Sequence, residues 1–72
     1  MKAATLDAEI LAAHGAGDGG ALVQLYQDAA ALTADETARA FYLVHAYVYA
    51  LETSHADKTC IQDQLRRMGR EV

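Results

Sequence analysis

The side chains with the most chemistry to offer are three histidines, one cysteine, four tyrosines and one adjacent pair of carboxylates, and spacing decides how much each can do. A histidine pair that grips zinc from a helix stands at i and i+3 or i+4. His14, His45 and His55 lie in three separate parts of the chain, and a zinc site gathering them with Asp18 or Asp57 would have no two histidines at that spacing, so no metal is expected. Cys60 has Lys58 close by and His55 a little before it, and a thiol near a helix N-terminus can be activated. No histidine stands at the helical spacing of a nucleophilic pair, however, and Cys60 reads as a small core residue beside Ile61 and Leu65. Asp35 and Glu36 diverge by about 100° on a helix and suit a capping role better than paired acid and base catalysis. The glycine-rich stretch from Gly15 to Gly20 lacks the lysine and hydroxyl of a phosphate loop and follows a helix, so it reads as a turn. Neither catalysis nor a cofactor is expected.

His45 and the tyrosines remain. His45 sits among Phe41, Tyr42, Val48 and Tyr49, where burial would hold it neutral and a tyrosine hydroxyl could pair with it. A buried histidine that titrates can act as a pH switch, but only with a second state to bias; otherwise it is a satisfied polar group in a core. Tyr42, Tyr47 and Tyr49 fall on two faces of one helix and Tyr26 on another, so at least one tyrosine should reach the surface. Tyrosine suits interfaces because a large apolar body carries a polar tip, although aromatic stripes at helical spacing also line cores. The interface candidates are therefore Tyr42, His45, Tyr47 and Tyr49. A pocket for a small ligand or substrate around the same residues is the alternative, against which stands the ~300 Å³ that such a site requires of a very small fold.

The elements that must position these residues are helices. Proline is absent and alanine abundant, which removes the strongest helix breaker and supplies the best helix former. A first helix over about 5–14, capped by Thr5 or Asp7, places Leu6, Ile10, Ala13 and His14 on one face. The glycines that follow end it, and Asp18 can cap a second helix over 19–32 that buries Leu22, Leu25, Tyr26, Ala29 and Leu32. Thr33-Ala34-Asp35-Glu36 reads as a capping box opening a third helix over 34–53. That helix is apolar almost all round. Phe41, Val44, Val48 and Leu51 make one stripe, Tyr42 and Tyr49 a second, and Leu43, Tyr47 and Ala50 a third. Its neighbours in so small a chain can cover about two of the three, which leaves one for a partner or for water. After Ser54-His55-Ala56-Asp57, a fourth helix over 56–68 turns Cys60, Ile61, Leu65 and Met68 inward and ends at Gly69. The expected fold is all-α, four helices forming two antiparallel hairpins in one domain spanning 1–72.

Length and charge narrow the function further. A chain of 72 residues buries only about 60% of its unfolded surface and is thinly stable without a disulfide, a metal, unusually good packing or a second subunit. One cysteine excludes an internal disulfide, so self-association is the simplest remedy and a homodimer or another protein the expected partner. A net charge of −4, with only Arg66, Arg67 and Arg70 clustered, argues against nucleic acid. The most apolar run, Ala40 to Leu51, is shorter than the ~20 residues that span a bilayer, and no membrane partner is expected. The lone thiol and the lack of a leader pattern point to the cytoplasm.

Two helical hairpins, each with a small residue and an aspartate at a tight turn, resemble the layout of tetratricopeptide-like helical-repeat proteins. Setting Gly17-Asp18 against Ala56-Asp57 brings Ala21-Leu22 onto Cys60-Ile61 at an offset of 39, longer than the ~34 of a strict repeat. The family's tryptophan, glycine and tyrosine pattern and its closing proline are missing, so none of its peptide-gripping residues transfers to a position here. The resemblance implies a protein-binding surface and no chemistry.

Overall fold

A computed structural model describes residues 2–70, with side chains from residue 5 onward. It is all-α: α1 (Lys2–Ala16), α2 (Gly19–Leu32), α3 (Glu36–Thr53) and α4 (Lys58–Arg67). Among the described residues there is no strand.

Three of the four helices stop in the same way. After α1 the backbone turns left-handed at Gly17 (φ 66°), whose N–H donates to the His14 carbonyl at 3.1 Å while Asp18 N–H donates to Ala13 at 2.9 Å. The Gly69 turn (φ 78°) repeats that pattern after α4, with Gly69 N–H on Arg66 and Arg70 N–H on Leu65. Ser54 (φ 52°) repeats it after α3, with its own N–H on Leu51 and His55 N–H on Ala50. Each turn satisfies two carbonyls that a helix end would otherwise leave bare. Serine is the odd member, since a side chain there is strained.

The starts are more varied. Asp18 caps α2 as expected, its carboxylate accepting from Ala21 N–H at 3.1 Å. At α3 the capping residue is Asp35, whose carboxylate accepts from Ala38 N–H at 3.0 Å, so the helix opens two residues later than the threonine-led box implies. Thr33 remains extended and accepts from Asp35 N–H at 3.3 Å. Aspartate caps at least as well as threonine, and placing it at the cap keeps three residues free to turn the chain. α1 begins at Lys2, ahead of the expected start, because the alanines before Thr5 offer no reason to stop; Thr5 and Asp7 therefore lie inside it. α4 begins at Lys58, and the Asp57 carboxylate before it accepts from Gln27 Nε2 at 3.1 Å instead of capping.

The helices pack in chain order, α1 on α2, α2 on α3 and α3 on α4, an arrangement consistent with two hairpins joined across α2 and α3. The molecule is flattened, 30 × 28 × 14 Å. Its core joins Leu22, Val23 and Tyr26 of α2 to Leu43, Ala46 and Ala50 of α3 and to Ile61 and Leu65 of α4, with Ala13 from α1. Alanines at the α2–α3 contact let the backbones close up. The approach is tightest at Gly19, where an added Cβ would lie 2.9 Å from Thr53 Cγ2.

Two expected core residues are outside it. Leu32 is 55% exposed at the end of α2, where Val23 and Ala30 occupy the buried face instead. Cys60 is exposed. Ile61, Leu65 and Met68 lie at i, i+4 and i+7 on one face of α4, and Cys60 falls about 100° from Ile61, off that face.

Candidate functional site on the third helix

α3 has neighbours on two flanks, α2 and α4, and is open on the side away from both. The buried arc is made of Ala40, Leu43, Ala46 and Ala50. Opposite it, Phe41 is 58% exposed, Val44 36%, Val48 44% and Leu51 49%. These four form the stripe that no other helix covers. Thr37 and Glu52 are exposed polar residues that border it.

The sequence-derived candidates flank this stripe instead of forming it. Tyr42, Tyr47 and Tyr49 are half-buried and pack against the core, and His45 is half-buried beside Phe41. His45 Nδ1 lies 2.9 Å from the Phe41 carbonyl. A carbonyl only accepts, so that nitrogen carries the hydrogen. The ring packs on Phe41 (centroids 4.3 Å apart) and on Tyr26 (5.2 Å). Its hydrogen bond goes to this backbone carbonyl one turn earlier and not to a tyrosine hydroxyl.

The tyrosine hydroxyl goes to a different histidine. Tyr26 Oη lies 2.8 Å from His14 Nε2, and Tyr49 Oη lies 3.5 Å from His14 Nδ1, so one imidazole at the end of α1 is bracketed by phenols from α2 and α3. Tyr26 and Tyr49 stack nearly parallel (5°) with centroids 6.0 Å apart. Burial, and then the neighbouring Tyr49 and Tyr42 phenols, raise the Tyr26 pKa above its ordinary 10.0. The cluster ties three helices together. Sequence spacing gave no sign of it, since His14, Tyr26 and Tyr49 come from different helices and meet only after folding.

His55 belongs to the turn before α4. Its Nδ1 accepts from Asp57 N–H at 3.0 Å, so the same atom is not a protonated donor to the Asp57 carboxylate 3.9 Å away. Two clefts lie between α1 and α2, one of about 330 Å³ between Leu6, Glu9, Asp28 and Leu32, the other against Ala12, Ala16, Ala21 and Leu25. Neither is lined by His45 or a tyrosine. Among the described residues no group of histidine, cysteine and acidic side chains is arranged to hold a metal ion. Among the described residues no helix is long and apolar enough to cross a membrane.

Comparison with family models, with curated proteins and with solved structures finds no match to this chain.

Proposed function

We propose that this chain is a non-enzymatic protein-protein interaction module that self-associates through α3. The observation that carries the reading is the uncovered stripe of Phe41, Val44, Val48 and Leu51 on the longest helix. Together these side chains expose on the order of 300 Å² of apolar surface, the size of the largest patch on an ordinary small monomer, which is often a functional one. Tyr42, His45, Tyr47 and Tyr49 flank the stripe and are the residues through which a contact would widen. The hairpin layout that resembles tetratricopeptide-like proteins supports a binding role, and the positions its offset aligns, Leu22 and Ile61, are both buried. A cytoplasmic setting fits a free, exposed Cys60.

Sedimentation velocity from low to high micromolar concentration tests the reading. The expected result is a weight-average sedimentation coefficient that climbs with concentration toward that of a dimer. A single monomeric species throughout removes self-association.

A further inference from the structure

We propose that the groove between α1 and α2 binds a basic amphipathic helix of another protein, at a surface separate from the open stripe of α3 and independent of self-association. The two clefts between these helices are one groove, because Glu9 lines both. Its α1 wall carries Glu9, Ala12 and Ala16, and its α2 wall Ala21, Leu25 and Asp28. Both sets advance by steps of three and four, which keeps each on one face of its helix. Along α1 the groove runs from Thr5 to Ala16, about 16 Å, or three turns of a helix laid beside it. No other helix of the chain packs into it. α1 lies along α2 alone, and His14, two positions from both Ala12 and Ala16 and so about 200° around the helix, reaches Tyr26 and Tyr49 on the opposite side.

Floor and rim together set the occupant. Alanines at 12, 13, 16 and 21 leave room for a second helix to approach closely, while Leu6 and Leu25, both half-buried, offer apolar side chains to cover. The charged residues that line the groove are Glu9, Asp18 and Asp28, all acidic. The bias extends through the whole hairpin. From residue 5 to residue 32 the chain carries Asp7, Glu9, Asp18 and Asp28 and no lysine or arginine, whereas Arg39, Lys58, Arg66, Arg67 and Arg70 all lie from α3 onward. Among the described residues no ion pair uses the groove's carboxylates. Asp18 caps α2 and Asp28 accepts from Gln24 Nε2 at 2.9 Å, bonds to neutral donors that leave both charges uncompensated.

Such a groove repels nucleic acid and anionic membranes and attracts lysines or arginines that flank an apolar helix face. Apolar anchors at helical spacing with charges beside them are the means by which amphipathic helices are gripped in grooves. The groove is open along its length, which suits a rod; a small amine would stay largely in water there, unlike a ligand in a pocket that encloses most of its surface. A second copy does not supply the helix. α4 is the basic helix of this chain, and its apolar residues Ile61 and Leu65 are wholly buried in its own core.

Titration of the whole chain with synthetic peptides, followed by backbone amide spectra, tests the proposal. The probe is a peptide of about 14 residues, four turns of helix, with leucines at helical spacing and lysines on their flanks. Its counterpart carries glutamate for each lysine, and spermine supplies the charge without the apolar face. The lysine peptide should shift the amides of Ala12, Ala16, Ala21 and Asp28 together, and added salt should weaken it. Glu9→Lys combined with Asp28→Lys should weaken it about tenfold or more. Both positions are exposed, and circular dichroism checks that the variant stays folded. Val48→Glu, which alters only the α3 stripe, should not weaken the peptide. A glutamate peptide that binds as tightly, lysine-peptide shifts that fall on Val44 and Val48 instead, or no shift up to millimolar concentration overturns the proposal. So does spermine giving the same shifts at similar affinity, which would make the groove a site for small cations.

Discussion

Tyr26 is the side chain on which three helices converge. It is 9% exposed, shares a hydrogen bond with His14 of α1 through its hydroxyl and stacks on Tyr49 of α3. Removing the hydroxyl alone (Tyr26→Phe) leaves the ring packing in place and His14, an exposed residue, free to bond water. The expected loss is about 1 kcal/mol, against about 3–5 kcal/mol for Tyr26→Ala, which empties the site as well. Thermal unfolding of the two variants separates the hydrogen bond from the packing. The raised Tyr26 pKa adds a pH signature. A phenol harder to ionise when folded contributes stability that is complete below its unfolded value, about 10, and lost as pH rises through the folded value. The melting temperature should therefore fall above about pH 10, less steeply in Tyr26→Phe than in the natural chain. Equal slopes would show that Tyr26 ionises as freely in the folded protein as in the unfolded one. None of this was legible beforehand, because His14 has no partner within its own helix and reads as a helix-end residue. The sequence paired the wrong histidine with the tyrosines for a simple reason: His45 lies near them in the chain, and His14 only in space.

The helix ends carry a second set of predictions. Ser54 occupies a left-handed position that glycine fills in the two equivalent turns, at Gly17 and Gly69. Ser54→Gly should stabilise the fold by about 0.5–1 kcal/mol, the relief of strain exceeding the added freedom of the unfolded chain. Gly15 and Gly19 make an opposed pair. Nothing lies within 4 Å of a Cβ built on Gly15, inside α1, so Gly15→Ala should raise stability by up to about 1 kcal/mol through helix propensity alone. Gly19→Ala gains less at a helix start and drives its methyl to 2.9 Å from Thr53, whose rotamer is held by a 2.8 Å bond from its hydroxyl to the Tyr49 carbonyl. A net loss of about 1 kcal/mol is expected there. Denaturant titration of the three variants checks all three signs. At this scale most of the architecture was open to reading, because glycine runs, capping aspartates and apolar periodicity act within a turn or two. Four helices and the bounds of α2 follow from them directly. The cap of α3 did not, since Thr33 and Asp35 are both good caps and only the length of the connection chooses. Cys60 was misplaced for a similar reason: next to Ile61 in sequence, it is about 100° away around the helix.

For the whole molecule the question is what covers α3. Its sequence shows three apolar stripes and a chain too small to hide them all, and in the fold the stripe left open is Phe41, Val44, Val48 and Leu51. The tyrosines looked the better surface residues because of their hydroxyls, yet they are half-buried on the shoulders. Which stripe stays open depends on the flanks that α2 and α4 occupy, and no local pattern encodes that. Val48→Glu should abolish self-association in sedimentation while changing the monomer's stability by less than about 0.5 kcal/mol, since the position is already 44% exposed. Each copy carries a net charge of −4. Two copies repel at long range, and the contact between them is apolar. Added salt should therefore tighten the dimer, with sedimentation in low and moderate salt as the check. The surface itself is read most directly by a dilution series of backbone amide spectra. The amides of Phe41, Val44, Val48 and Leu51 should shift together with concentration, while those around Leu11 and Leu32, the exposed large apolar residues of α1 and α2, stay fixed. Shifts confined to α1 and α2, or none up to millimolar concentration, would contradict a binding role for α3.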